Sequence, residues 1–166
     1  MSATLILGID PGLKRCGWGL VASEGARLSH VAHGVITPKV QQQLASRLLC
    51  LFEELGAIID RHNPREVAVE ETFVNTNARA ALALGQARGV ALAAAARHGV
   101  LVAEYSPATI KKAIVGSGSA DKTQIAFMVR RLLPTAGDVS ADAADALGVA
   151  LCHAAHGGFK RKVGGG

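Results

Sequence analysis

The chain has few cysteines, no histidine pair with metal-binding spacing, and no long apolar run. Its three cysteines lie far apart, at positions 16, 50 and 152. This spacing predicts neither a disulfide framework nor a zinc site, so we expect reduced thiols in the core of a cytoplasmic protein. No stretch could span a bilayer, and no membrane partner is expected. The short apolar start lacks a basic lead and runs into Asp10-Pro11-Gly12, unlike a signal peptide.

Acidic residues are outnumbered, with 13 Asp and Glu against 18 Lys and Arg and a formal net charge of +5. This balance favours a polyanionic partner such as nucleic acid. The 166 residues are 49% hydrophobic, which predicts one compact folded domain. We assign residues 1–157 to that domain. Residues 158–166 are basic and rich in glycine, and we expect them to form a mobile tail.

Apolar runs and helical periodicity alternate along the chain. Strands are predicted at residues 4–10, 16–22, 27–36, 67–70 and 100–105, and helices at residues 42–61, 78–97, 107–115, 122–133 and 141–155. The first three strands are expected to form an antiparallel meander, and helices separate the later strands. The order predicts an α/β fold with a mixed sheet and helices on its faces. His153 and His156 fall late in the last helix, and we expect them on a solvated face.

Four acids are the strongest functional signal. Asp10 and Glu70 each close a short apolar strand, which places a carboxylate at the edge of a rigid sheet. Asp142 and Asp145 are three residues apart, so they share one face of a helix. Acids in a first helical turn are common because they favour the positive end of the helix dipole, and Asp142 alone would be explained that way. Two aligned acids together with two strand-end acids favour a metal site.

Such a cluster without metal is a group of like charges, so at least one of its pKa values should be raised. Two Mg²⁺ or Mn²⁺ ions would relieve the repulsion. Ions about 4 Å apart activate a water and stabilise the leaving oxygen of a phosphodiester. A basic protein with this site is most simply a nuclease.

Several segments resemble the RuvC family of Holliday-junction resolvases, within the ribonuclease H-like superfamily. They occur in the family's order and cover nearly the whole chain. The segments are GIDPG at 8–12, GWG at 17–19, VEETF at 69–73, LGQARG at 84–89, VGSGSADK at 115–122 and DAADAL at 142–147. The first segment alone is a weak signal, whereas the full set is highly specific.

The resemblance implies a ribonuclease H-like fold, with a five-stranded mixed sheet flanked by helices, and a homodimer. It implies that Asp10, Glu70, Asp142 and Asp145 bind the metal and carry catalysis. The implied cofactor is Mg²⁺, two ions per active site, with Mn²⁺ able to substitute. The implied substrate is a four-way DNA junction, cleaved in paired nicks during homologous recombination and repair. A branch-migration motor of the RuvA and RuvB type is the implied partner.

The resemblance also implies DNA-binding residues. Lys111 and Lys122 fall where the family has basic residues near the scissile strand. Phe73 is a candidate for stacking on an unpaired base, although a lone Phe more often belongs to a core. Lys112 is an additional lysine that we interpret as solvated. The role of Arg79 is left open, because the chain departs from some relatives in its charged residues between Phe73 and Ala80.

The resemblance also bears on the choice between Glu70 and Glu71 and on where two protomers would meet. Glu71 stands where relatives often have glutamine, so Glu70 is assigned to the site. The predicted helix at residues 78–97 is rich in small residues, which suits both packing on the sheet and a dimer contact.

Three other interpretations compete with that of a junction resolvase. The GIDPG segment also resembles the phosphate loop of actin-like ATPases, but the chain is too short for their two domains. A ribonuclease H acting on another nucleic acid shares the acids, and the LGQARG and GSGSA segments count against it. A non-catalytic junction-binding protein would have no need for four clustered acids opposite phosphates.

Overall fold

The computed structural model describes residues 2–71 and 77–157, which form five strands, five α-helices and one 3₁₀ turn. The strands are β1 (Thr4–Asp10), β2 (Cys16–Glu24), β3 (Arg27–Ile36), β4 (Glu66–Glu70) and β5 (Leu101–Tyr105). The helices are α1 (Leu44–His62), α2 (Ala78–Arg97), α3 (Pro107–Val115), α4 (Lys122–Leu132) and α5 (Ala141–Ala155), and the 3₁₀ turn is Pro134–Ala136. The alternation agrees with the order predicted from the sequence.

The strands form one mixed sheet in the order β3-β2-β1-β4-β5. β2 is antiparallel to both β1 and β3, as the predicted meander requires. β4 is parallel to β1 and to β5, and parallel neighbours need crossover connections, which contain α1 and α2. The predicted fold, a five-stranded mixed sheet flanked by helices, is confirmed.

Apolar side chains cover both faces of the sheet. Strand alternation sends Ile6 of β1 to one face and Leu7 and Ile9 to the other. The Ile6 face packs against α3, α4 and α5, and the opposite face packs against α1 and α2. Because β1 is central and buried on both sides, its backbone is a stiff support for the acid at its end. No helix in the described residues is long and apolar enough to cross a membrane.

The parallel pairing of β1 with β4 brings their final residues to the same edge of the sheet. The register joins Ile9 to Val69, so Asp10 and Glu70 follow at equivalent positions. On the other side, Asp10 pairs with Gly17 at the start of β2. Both strand-end acids therefore lie together at one edge, as the sequence predicted.

Helix α5 lies unusually close to β1 and β2 because glycines face it. A Cβ built at Gly8 would lie 2.7 Å from the backbone nitrogen of Ala150 and would collide with the carbonyl of Ala146. A Cβ at Gly17 would collide with the carbonyl of Asp142. The close approach sets the first turn of α5 directly beside the strand ends.

A few boundaries and burial predictions differ from expectation. Helix α1 begins two residues later than predicted, and the side chain of its N-cap, Gln43, makes no capping hydrogen bond. The 3₁₀ turn after α4 was not predicted. Cys16 and Cys152 are buried as expected, but Cys50 is half-buried rather than in the core. The predicted tail, residues 158–166, lies outside the described residues.

We expect Gly8→Ala to destabilise the fold and Gly148→Ala to be tolerated. The methyl group at position 8 forces α5 away from β1, and overpacking of this kind costs roughly 1–3 kcal/mol. Gly148 lies on α5 itself, where an added Cβ meets only methyl groups at 3.8–3.9 Å, so it serves as the matched control. Urea unfolding midpoints measure both variants. Equal midpoints for the two variants would contradict the close-approach account.

Candidate active site

Four carboxyl groups converge at the shared edge of β1 and β4. The side chains of Asp10 and Glu70 share a hydrogen bond. Asp142 and Asp145, from the first turns of α5, lie close enough to Asp10 for their charges to affect one another. We call these four residues the acid cluster. The structure thus brings together all four acids that the sequence singled out.

Helix α5 aims its two acids at the strand ends through its cap and its packing. Ser140 is the N-cap, and its hydroxyl accepts a hydrogen bond from the backbone N–H of Ala143 at 3.3 Å. The spacing of three residues places Asp142 and Asp145 on one face, and both are half-buried. Since the rest of the helix is almost entirely buried, the direction of these carboxylates is fixed by the core.

Desolvation and like charge raise the pKa values of three acids in the cluster. Burial raises the pKa of Asp10 to about 8, with further contributions from the charge of Glu70, their shared hydrogen bond and Asp142. Burial and the charge of Asp10 raise the pKa of Asp145 to about 6. Burial also raises the pKa of Glu70, against the opposing effect of its hydrogen bond with Asp10. Asp10 therefore holds the proton of the pair, and the predicted upward shift is confirmed.

Two lysines border a cavity beside the cluster. The cavity has a volume of about 130 Å³, and its lining includes Glu70, Asp145, Lys111 and Lys122. The ammonium of Lys122 lies 3.9 Å from a carboxylate oxygen of Asp145, and its side chain is 83% exposed. The structure therefore places both predicted lysines at the site.

The position of Lys122 is electrostatically unfavourable for its own helix. It is the first residue of α4, at the positive end of the helix dipole, where a cation is normally disfavoured. A capping box formed by Asp121 and Gln124 holds this turn in place. The carboxylate of Asp145 at 3.9 Å offsets part of this unfavourable interaction.

One cation beside the cluster was missed by sequence reasoning. The Nε of Arg15, in the turn between β1 and β2, lies 3.4 Å from a carboxylate oxygen of Asp142. The two residues are far apart in the sequence, and no local pattern relates them. The only available signal was that Arg15 follows the GIDPG segment closely.

The remaining predicted residues fall in different places. Glu71 lies close enough to Arg88 of α2 for their charges to interact, which separates its surroundings from those of Glu70. Lys112 is exposed, in agreement with its interpretation as a solvated lysine, and Arg79 is exposed at the start of α2. Phe73 lies outside the described residues.

The prediction of a solvated face for His153 is wrong. The residue is only 1% exposed, and its Nε2 lies 2.7 Å from a carboxylate oxygen of Glu66. Its Nδ1 lies 2.7 Å from the hydroxyl of Tyr105. The helical spacing of the histidines could not reveal this contact, because the partner acid comes from β4. The available signal in the sequence was Glu66, a charged residue directly before the apolar residues of β4.

The donor set of the acid cluster fits a hard divalent cation, which prefers carboxylate oxygens on stiff supports. Within residues 2–71 and 77–157, no three His, Cys, Asp or Glu side chains already stand in a metal-holding arrangement. The acids are instead engaged in other contacts: Asp10 with Glu70, and the two acids of α5 with cationic side chains. A cation would displace the proton held by Asp10 and neutralise the like charges, so the residues present suit such a group.

Comparison with known proteins gives consistent matches. The sequence profile of the family described as crossover junction endodeoxyribonuclease RuvC matches residues 6–153. The RuvC protein of Caulobacter sp. (strain K31) is 64% identical over 149 residues, covering 90% of this chain and 88% of that protein. The RuvC protein of Hyphomonas neptunium is 56% identical over 151 residues, covering 91% and 90%.

Solved structures show the same fold. T. thermophilus RuvC in complex with a Holliday junction substrate superposes with a TM-score of 0.86 at 33% identity, covering 95% of this chain and 96% of that chain. The yeast mitochondrial Holliday junction resolvase superposes with a TM-score of 0.65 at 17% identity, covering 89% and 76%. The second match, at low identity, supports the fold alone.

The raised pKa of Asp10 predicts how the metal-free chain responds to pH. Between the ordinary pKa of 3.8 and the folded value of about 8, the folded state binds the proton more tightly than the unfolded state. Rising pH therefore favours unfolding, and stability should fall from about pH 4 to about pH 8. Asp10→Asn should reduce this slope and raise stability at pH 8 by removing the buried charge.

Urea midpoints in EDTA at pH 5 and pH 8 measure the effect. Glu24→Gln, at the exposed end of β2, is the control and should keep the wild-type slope. Identical slopes in the wild type and Asp10→Asn would show that Asp10 is ionised normally in the fold.

Proposed function

The chain belongs to the RuvC family of crossover junction endodeoxyribonucleases, and we propose that its acid cluster is the site at which it cuts four-way DNA junctions. Membership makes it a metal-dependent nuclease of DNA recombination and repair. The observation that carries the assignment of the site is the convergence of four carboxyl groups, of which Asp10, Glu70 and Asp145 have raised pKa values, beside a cavity bordered by lysines. Burial deprives these carboxylates of water, and the protein does not supply enough positive charge to replace it. Acids with pKa values raised in this way are typical of catalytic sites.

We propose that each of the four acids is a metal ligand, positioned by the strand or helix that carries it. Asp10, on the central strand of the sheet, and Glu70 beside it would hold a divalent cation once the shared proton is released. Asp145 and Asp142 would complete the ligand set from α5. The cofactor is proposed to be Mg²⁺, two ions per site, with Mn²⁺ able to substitute. When bound, the ions supply charge neutralisation at the scissile phosphate and lower the pKa of the attacking water.

The two lysines are proposed to orient the scissile strand. Lys122, largely exposed, can reach a phosphate while staying near Asp145. Lys111, half-buried in the cavity lining, would contact the same backbone from α3. The positive charge of each would stabilise the negative charge at the place where the phosphodiester meets the acids. Phe73 is proposed, from the family resemblance alone, to stack on an unpaired base.

The chain is further proposed to act as a homodimer. One acid cluster makes one nick, and two clusters related by two-fold symmetry suit the two opposed strands of a junction. The exposed residues of α2 include an apolar stripe spaced by three or four, which supports a helix contact there. The stripe consists of Leu82, Gly85, Gly89, Ala93 and Ala96. A motor of the RuvA and RuvB type and a cytoplasmic location complete the proposal.

Cleavage by the acid cluster is tested with the full chain and three substrates. With Mg²⁺ we expect a synthetic four-way junction to be cut in paired nicks, and a linear duplex and an RNA–DNA hybrid to be spared. Asp10→Asn should lower cleavage by at least about 100-fold, because a site without this ligand loses part of the several kcal/mol of charge stabilisation that a bound metal supplies. Junction binding in Ca²⁺ should persist in this variant, and Ca²⁺ should support little cleavage by the wild type.

Glu24→Gln serves as the control and should cleave like the wild type. Preferred cutting of the hybrid would favour a ribonuclease H activity instead. Near-normal cleavage by Asp10→Asn would falsify the assignment of the site.

The dimer is tested by a matched pair of charge insertions. Ala93→Glu places a charge in the apolar stripe of α2, whereas Ala57→Glu places the same charge at an exposed position of α1. We expect the first variant to be monomeric and to lose paired incision, because an unpaired charge in a contact between helices is costly. The second should stay dimeric. Light scattering gives the mass, and a junction in a supercoiled plasmid gives the products. A wild-type monomer that still makes paired nicks would overturn the dimer.

A further inference from the structure

We propose that Arg15 is a phosphate-binding residue of the site that exchanges partners: its guanidinium pairs with Asp142 in the DNA-free protein and turns to a substrate phosphate when a divalent cation takes that carboxylate. The inference rests on the proposed function of the acid cluster. Its starting observation is the 3.4 Å contact between the Nε of Arg15 and a carboxylate oxygen of Asp142.

The turn that carries Arg15 is held from several sides. A Cβ at Gly12 would collide with the carbonyl of Arg15, so the turn closes tightly on itself. The guanidinium of Arg47 donates a 3.1 Å hydrogen bond to the carbonyl of Leu13, whose side chain is buried. A backbone hydrogen bond joins Gly12 to the thiol of buried Cys16. The backbone of Arg15 is therefore fixed in position.

The same turn is fixed relative to Asp142. Two residues after Arg15, the backbone of Gly17 lies so close to the carbonyl of Asp142 that no Cβ would fit between them. The contact between Arg15 and Asp142 is thus a consequence of the packing of β2 on α5. The backbone position of Arg15 relative to the acid cluster is therefore set by the packing of the core, unlike that of an arginine whose contact with an acid depends on its side-chain conformation alone.

The side chain is nevertheless free to change partner. Arg15 is 67% exposed, and Asp142 is 30% exposed. Exposed ion pairs contribute little to stability, so exchanging this pair for another is inexpensive. The guanidinium fork matches phosphate as well as carboxylate, and it is always charged. A substrate phosphate at the cluster would then meet the guanidinium beside Asp142 as well as the ammonium beside Asp145.

The exchange has two measurable consequences. Because Arg15 competes with a cation for Asp142, its removal should strengthen metal binding to the DNA-free chain. Because Arg15 contacts a phosphate in the complex, its removal should weaken the salt dependence of junction binding. A surface ion pair with no further role would produce the first effect without the second.

The test uses Arg15→Gln and Arg15→Ala in the full chain, with Arg27→Ala as the control. Arg27 is an exposed arginine at the far end of the hairpin formed by β2 and β3. Titration of DNA-free protein with Mn²⁺, followed by calorimetry, should give half-saturation at roughly two- to fivefold lower concentration in both Arg15 variants, the range that an exposed ion pair supports. The control should match the wild type. Thermal melting confirms that each variant is folded.

Junction binding in Ca²⁺ is then measured over a series of KCl concentrations. The log–log slope should fall by about one unit in the Arg15 variants and stay unchanged in Arg27→Ala. Unchanged metal binding shows that Arg15 does not compete for Asp142, and an unchanged slope shows that it contacts no phosphate. Either result overturns the proposal. Neither measurement depends on cleavage, so a failure of the proposed function would appear separately as an inactive wild type.

Discussion

The close packing of α5 on β1 and β2 is the constraint on which the site depends. Glycines at positions 8 and 17 leave no side chain between the helix and the strands, so the first turn of α5 lies against the strand ends. At this separation, the charges of Asp142 and Asp145 act on Asp10, and burial removes Asp10 and Asp145 from water. Repulsion among the acids opposes this packing, and the burial of nearly the whole helix maintains it. The packing of the core thus holds the carboxylates of the acid cluster close together against their mutual repulsion.

The cations around the cluster moderate this repulsion without removing it. Lys122 lowers the pKa of Asp10, yet that pKa stays at about 8, because desolvation is the larger effect. The reason is geometric: the side chain of Lys122 is 83% exposed, so solvent screens its charge. Arg15 is similarly exposed beside Asp142. Buried acids and solvated cations make a site that still gains from an additional positive charge, and the same cations remain free to meet phosphate.

The sequence predicted the parts of the molecule that local patterns control. Strand β1 was bounded at Asp10 and helix α2 at residues 78 and 97, because apolar periodicity and turn residues mark these limits. The four acids could be identified because two of them stand at the ends of strands and the other two share one face of a helix. Contacts between distant segments were not predictable in this way. Arg15 meets Asp142, and His153 meets Glu66, only because β1, β2, β4 and α5 pack in one order, which no local pattern encodes.

The two acids of β4 differ in whether the fold supplies a partner for the carboxylate. Glu66 begins the strand, is 7% exposed, and has a fixed partner in His153 at 2.7 Å. That histidine is itself bonded to Tyr105, so the polar groups satisfy one another inside the core. Glu70 ends the same strand, faces a cavity, and shares its hydrogen bond with another acid. When the hydrogen-bond partner of a buried acid is also an acid, their negative charges repel each other, and a bound cation would neutralise them. The residue type is the same at both ends, and its surroundings decide its role.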